Sequence, residues 1–189
     1  MKKIVWTVVI TLLVVVLIPF IVIASGAINM AASNRPGAFE KWMATLAVQR
    51  SMAIRAPTKS SDLLDEPAAI TDGLEHYKAM CVRCHAGPGV EPSEFAQGLN
   101  PPAPKLTDLG AKLSDGELFW IIKHGIRMTG MPAFGGTHSD EDVWKIAAAV
   151  KHLPNLSPEQ KERLADGEDS GHGHGHGEGH EHGDSAGEN

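Results

Sequence analysis

The chain has 189 residues, 42% of them hydrophobic and 21% charged, with a formal net charge of −6 and only two cysteines. The charge sits at the end: residues 155–189 hold nine Asp or Glu against Lys161 and Arg163, so the remainder is close to neutral and carries no clustered basic face of the kind that binds nucleic acid. An apolar start and a Gly, His and acid tract from Gly167 leave roughly 90 residues for a packed core, a size at which a single core usually needs a staple.

Residues 1–27 read as a membrane segment. Ile4 to Ala24 carries no charge over 21 residues, enough for a helix to cross a hydrocarbon core of about 30 Å. That length favours a retained anchor over a cleaved signal, whose apolar region runs to about 7–15 residues, although Ser25-Gly26-Ala27 has the small residues of a cleavage site. Trp6 suits a headgroup depth, and Pro19 is tolerated as a kink. Lys2 and Lys3 favour an inner N-terminus, but Arg35 and Lys41 on the far side weaken that bias.

Residues 28–66 form a juxtamembrane stretch. Phe39, Trp42, Met43 and Leu46 recur at helical spacing between Pro36 and Pro57, which predicts an amphipathic helix. Arg35, Lys41, Arg50, Arg55 and Lys59 against Glu40 make the stretch basic. It suits either an anionic membrane surface or a face packed on the core or on a membrane partner. Lys59 to Pro67, rich in Ser, Asp and Pro, reads as a linker.

Residues 67–155 hold the core. A short helical pattern from Ala68 to Met80 leads into Cys81-Val82-Arg83-Cys84-His85, and Val90 to Leu109 reads as loop. Ser114 with Glu117 makes a capping box for a helix from Asp115 to about His124, stopped by Gly125. Ser139 with Asp142 starts another, to about His152. Three helices joined by long loops pack poorly unless something fills the space between them.

C-x-x-C-H is consistent with filling that space by haem. Its thiols sit one helical turn apart and can add to the two vinyl groups of one porphyrin, while His85 is directed at the iron. A structural zinc site needs four ligands, and with two cysteines it would have to recruit remote histidines such as His76 or His124. A thioredoxin-like dithiol needs a βαβ setting, and no strand pattern precedes Cys81.

From Ala68 to Leu153 the chain resembles the class I cytochrome c family: a helix entering C-x-x-C-H, a Pro-rich loop, a middle helix, Gly130-Met131-Pro132-Ala133-Phe134, and a last helix with an aromatic. The expected fold is therefore all-α, a small cytochrome c-like unit of three to four helices around one covalently attached haem c, preceded by one transmembrane helix. The resemblance implies haem attachment at Cys81 and Cys84, His85 as proximal ligand, and Met131 as distal ligand, with Met128 and His124 as the competing donors. It also implies a close helix crossing at Gly73, with Tyr77 and Trp144 as the family's helix aromatics. A carbonyl of Pro101 or Pro102 is expected to accept from His85 Nδ1–H and set its basicity.

Such ligation implies a one-electron carrier and not an enzyme, either alone or as the cytochrome subunit of a larger oxidoreductase. The alternative is a haem enzyme or ligand sensor with a labile distal site. The expected partners are the lipid bilayer and a redox protein, whether dehydrogenase, reductase or oxidase; the scarcity of Lys near the expected haem edge argues against docking through a lysine ring. Because the family's thioether bonds are made outside the cytoplasm, the resemblance implies a single-pass protein of the bacterial cytoplasmic membrane with its haem domain on the periplasmic side. Residues 156–189 read as an acidic, disordered, His-rich tail in which His172, His174, His176, His180 and His182 suit binding of Cu, Ni or Zn.

Overall fold

A computed structural model describes residues 1–166, all of whose extended elements are helical. Helix α1 (Lys2–Ala24) buries no residue against the rest of the chain and is long and apolar enough to cross a membrane. Its two threonines leave no hydroxyl unpartnered for lipid: Thr7 donates to the Lys3 carbonyl at 3.0 Å and Thr11 to the Thr7 carbonyl at 2.9 Å. Helix α2 (Ala38–Arg55) begins after Gly37 and ends at Ala56, which takes the extended conformation that a following proline imposes.

The linker expected between Lys59 and Pro67 is docked. Asp62–Asp65 forms a 3-10 turn whose Leu64 is buried against the core, and the Leu64 carbonyl lies 3.1 Å from His152 Nε2. Ser60 donates to Asp115 at 2.6 Å, and Lys151 forms an ion pair with the same carboxylate. One acid thereby joins the linker to two helices of the core.

Helix α3 (Pro67–His76) starts on a proline, which has no amide hydrogen to lose in a first turn. It continues into a wider π turn, Tyr77–Cys81, and then α4 (Val82–His85). The stretch expected to be all loop holds two single-turn helices, α5 (Glu94–Gln97) and α6 (Leu106–Leu109). Both expected capping boxes form, Ser114 with Glu117 at α7 (Asp115–His124) and Ser139 with Asp142 at α8 (Asp140–His152). Gly125 stops α7 at φ 62°, a conformation that strains other residues.

The tail starts later than composition suggests. A third capping box, Ser157 with Gln160, opens α9 (Pro158–Ala165). Leu156 and Leu164 are both buried in the core cluster, so the packed unit runs past Asn155 to α9. Two leucines outweigh the surrounding acids because each removes apolar surface from water while the acids remain at the surface.

The centre of the unit is the crossing of α3 on α8. Val143, Ile146, Ala147, Ala148 and Ala149 are fully enclosed there. Gly73 lies directly on the α8 backbone: a Cβ at this position would collide with the Lys145 carbonyl and sit 3.1 Å from the Ala149 Cβ. The close approach expected at Gly73 is therefore present. Trp144 lies to one side, stacked on Phe119 of α7 with ring centroids 4.3 Å apart.

Two outcomes follow. Gly73→Ala should cost about 1–3 kcal/mol of overpacking, seen as a lower urea midpoint at unchanged slope. Asp115 is held below the usual carboxylate range, first by the Lys151 hydrogen bond and then by Ser60. A depressed folded-state pKa stabilises above the unfolded value of about 3.9 and is lost as pH falls through the folded value. Asp115→Asn should therefore be less stable than the parent at neutral pH, and the two unfolding curves should converge as the solution is acidified below about pH 4.

Candidate haem site

Between α4, α7, α8 and the loops of residues 95–109 and 126–134 lies a cavity of about 330 Å³. Cys81, Cys84 and His85 form one part of its wall and Met131 another. Leu118, Ile122, Ile146 and Val150 form the floor, and Phe95, Leu99 and the prolines 101, 102 and 104 the rim. Apart from the two thiols, His85 and Thr129, every lining side chain is apolar. The helices that make the small core thus also leave an apolar slot beside it.

The C-x-x-C-H stretch is held at both ends. Upstream, the π turn brings Tyr77 and Cys81 into the interior. Downstream, Ala86 sits at φ 59° and ψ −167°, a backbone region natural to glycine and strained for alanine. The enclosed Tyr77 hydroxyl donates to the Ala86 carbonyl at 2.6 Å, and burial pushes its pKa up, so the donor keeps its proton. This clamp closes the chain around the motif and fixes where His85 stands.

His85 Nδ1 is 2.8 Å from the Pro104 carbonyl. A carbonyl only accepts, so Nδ1 carries the proton and Nε2 keeps its lone pair. Burial pulls the His85 pKa down, with the Pro104 contact opposing, which favours the neutral imidazole that a metal requires. The acceptor is Pro104 and not Pro101 or Pro102 as expected. Successive carbonyls of a Pro-rich loop are equivalent in sequence, and only the path of the loop into α6 selects among them. Burial and the neighbouring Cys84 push the Cys81 thiol up to about 12.

The three candidate distal donors separate. Met131 is half-buried and lines the cavity. Met128, at φ 62° and 83% exposed, does not line it, and neither does His124, whose ring lies beside Trp120 at 5.3 Å. The Met131 loop is closed by its own hydrogen bonds: Thr129 donates to the Ile126 carbonyl at 2.7 Å, Met131 N–H to the Thr129 hydroxyl at 3.1 Å, and Ile126 N–H to the Met131 carbonyl at 3.2 Å. Sequence reasoning named Tyr77 only as a helix aromatic; its bond to Ala86 and the role of Pro104 were invisible without the loop path. His172, His174, His176, His180 and His182 lie outside the described residues.

Two thiols one turn apart, a neutral imidazole with a free Nε2 and an apolar slot with a thioether on another wall fit a covalently held haem. A family model described as "Cytochrome C oxidase, cbb3-type, subunit III" matches residues 68–148, which include every lining residue of this cavity except Val150. No curated protein and no solved structure matches the chain. With α1 and the C-x-x-C-H motif, the family match supports a membrane-linked c-type haem protein with a role in electron transfer.

The Tyr77 clamp has a measurable consequence. Tyr77→Phe leaves the Ala86 carbonyl unpaired in the interior and should lower the unfolding free energy by about 1–3 kcal/mol, read by denaturant titration of the haem-loaded protein.

Proposed function

We propose that the chain is a mono-haem cytochrome of the class I type that carries single electrons at the periplasmic face of the bacterial cytoplasmic membrane. The observation that carries this reading is the placement of Met131 on the wall of the same apolar cavity as Cys81, Cys84 and His85. Bound there, a haem supplies a one-electron Fe(III)/Fe(II) couple.

The residues divide the work. Cys81 and Cys84 hold the group through thioether bonds, and His85 offers Nε2 while Pro104 fixes its ring and tautomer. Met131 would offer its sulfur as the second iron donor, presented by the hydrogen-bonded turn of Ile126 and Thr129. A thioether is a soft donor that favours the ferrous state, so this pair sets a higher potential than two imidazoles would. With His85 and Met131 both engaged the iron would have no free position for oxygen or peroxide, and the aliphatic floor would disfavour water. The protein then acts as a carrier and not as an enzyme.

Covalent attachment made outside the cytoplasm supports the periplasmic placement, with α1 as the tether. The oxidase subunit in the family description makes an oxidase a natural partner, with a dehydrogenase or reductase as the other candidates.

Replacement of Met131 is the direct test. Met131→Ala should abolish the sulfur-to-iron charge-transfer band and lower the reduction potential, whereas Met128→Ala should change neither. If the band and potential survive in Met131→Ala, the distal assignment is wrong. A rapidly formed, stable carbon monoxide adduct of the unmodified ferrous protein at neutral pH would instead favour a ligand sensor or haem enzyme.

A further inference from the structure

Helix α2 has two apolar faces, of which the domain uses only one. Met52 is buried, Val48 and Ser51 are half-buried, and every other residue of the helix is exposed. Phe39, Trp42, Met43 and Leu46 lie about half a turn around the helix from that contact. Their exposure is high for residues of this size, with Phe39 at 69% and Trp42 at 59%. Phe39 and Trp42 lie side by side, ring centroids 5.9 Å apart, making one continuous patch.

The basic residues of this stretch lack acidic partners, although Arg55 donates to the Ser51 hydroxyl at 3.1 Å. Arg35, Lys41, Arg50, Arg55 and Lys59 form no ion pair with a carboxylate among the described residues. Arg50 lies along the stripe, where its long stem can cover apolar surface while its guanidinium reaches water or a phosphate. By the helical period Lys41 and Arg55 fall on the side of Met52, and of the basic residues in α2 only Arg50 falls within the stripe. An unpartnered aromatic and aliphatic stripe carrying an unpaired arginine, with Arg35 just before the helix, suits an anionic bilayer interface.

The chain also keeps α2 near the bilayer. Asn100 Nδ2 donates to the carbonyls of Ala32 and Asn34, both at 2.8 Å, tying the segment after α1 to the rim of the cavity. Only residues 25–31 then separate the end of α1 from this clasp, and seven residues reach at most about 25 Å even fully extended. At the other end of α2, Met52 and the Ser60–Asp115 bond fasten the helix to the core.

We propose that α2 lies in the outer headgroup layer of the bilayer that α1 crosses. Phe39, Trp42, Met43 and Leu46 dip about 5–10 Å into the boundary with the acyl chains, and Arg50 and Arg35 contact the phosphates of anionic phospholipid. The helix then serves as a second membrane contact and gives the haem domain one orientation on the surface. The placement relies on α1 as a membrane helix and is independent of how the haem iron is ligated.

Photo-crosslinking of the full-length, haem-loaded protein tests it. A photoreactive phenylalanine analogue is placed at Met43, Leu46 or, as an exposed control outside the stripe, Ala44. The protein is irradiated in native membranes and in nanodiscs of mixed phosphatidylglycerol and phosphatidylcholine, and adducts are identified by mass spectrometry. Lipid adducts several-fold more abundant at 43 and 46 than at 44 are expected, enriched in phosphatidylglycerol, with the enrichment falling as salt is raised. Equal lipid yields at the three positions would overturn the proposal, as would protein adducts dominating at 43 and 46 in native membranes, which would make the stripe a partner-binding face. Equal labelling of the two lipids would remove the anionic headgroup from the interaction. Loss of the Met131 charge-transfer band has no bearing on these yields, so the two readings fail separately.

Discussion

Gly73 lets α3 rest on the backbone of α8, and the position of the C-x-x-C-H wall depends on that contact. The π turn and α4 continue directly from α3, so any shift of α3 is carried to Cys81, Cys84 and His85. On its other side α8 supplies Ile146 and Val150 to the cavity floor. A single helix thereby supports the attachment wall and shapes the slot beside it. The row of fully buried alanines from Ala147 to Ala149 keeps the crossing tight, because small side chains let two helix backbones approach.

The cavity also explains how so short a domain holds together. Much of its apolar surface faces the slot and not another side chain, so packing alone leaves the loops around residues 95–109 and 126–134 lightly supported. A covalently held group would occupy that space and link α4 to the Met131 loop, since both line it. The local devices all act on this perimeter. Tyr77 holds Ala86, Pro104 orients His85, and Thr129 closes the turn before Met131.

The juxtamembrane stretch is part of the same design. Asn100 clasps the chain leaving α1, Asp115 gathers Ser60 and Lys151, and Leu64 sits in the core. These contacts turn what would be a free tether into a mount. The apolar stripe of α2 is left facing outward from it, and the orientation of the cavity to the membrane follows from where that stripe settles.

Sequence by itself determined what depends on neighbours along the chain. The apolar run of α1, the capping boxes at Ser114 and Ser139 and the helix entering C-x-x-C-H were legible, because each is a local pattern or a short motif with its own geometry. The crossing of Gly73 on α8 joins residues far apart in the chain and was expected only from the family resemblance. The capping box at Ser157 was equally local but lay hidden in acidic composition, and the burial of Leu156 and Leu164 revealed it. Tertiary structure alone decided which of several equivalent groups meets the site. Pro104 accepts from His85 in place of Pro101 or Pro102, and Tyr77 reaches Ala86. Such choices turn on where loops pass in space, and chemically identical groups a few residues apart carry no trace of that path in the sequence.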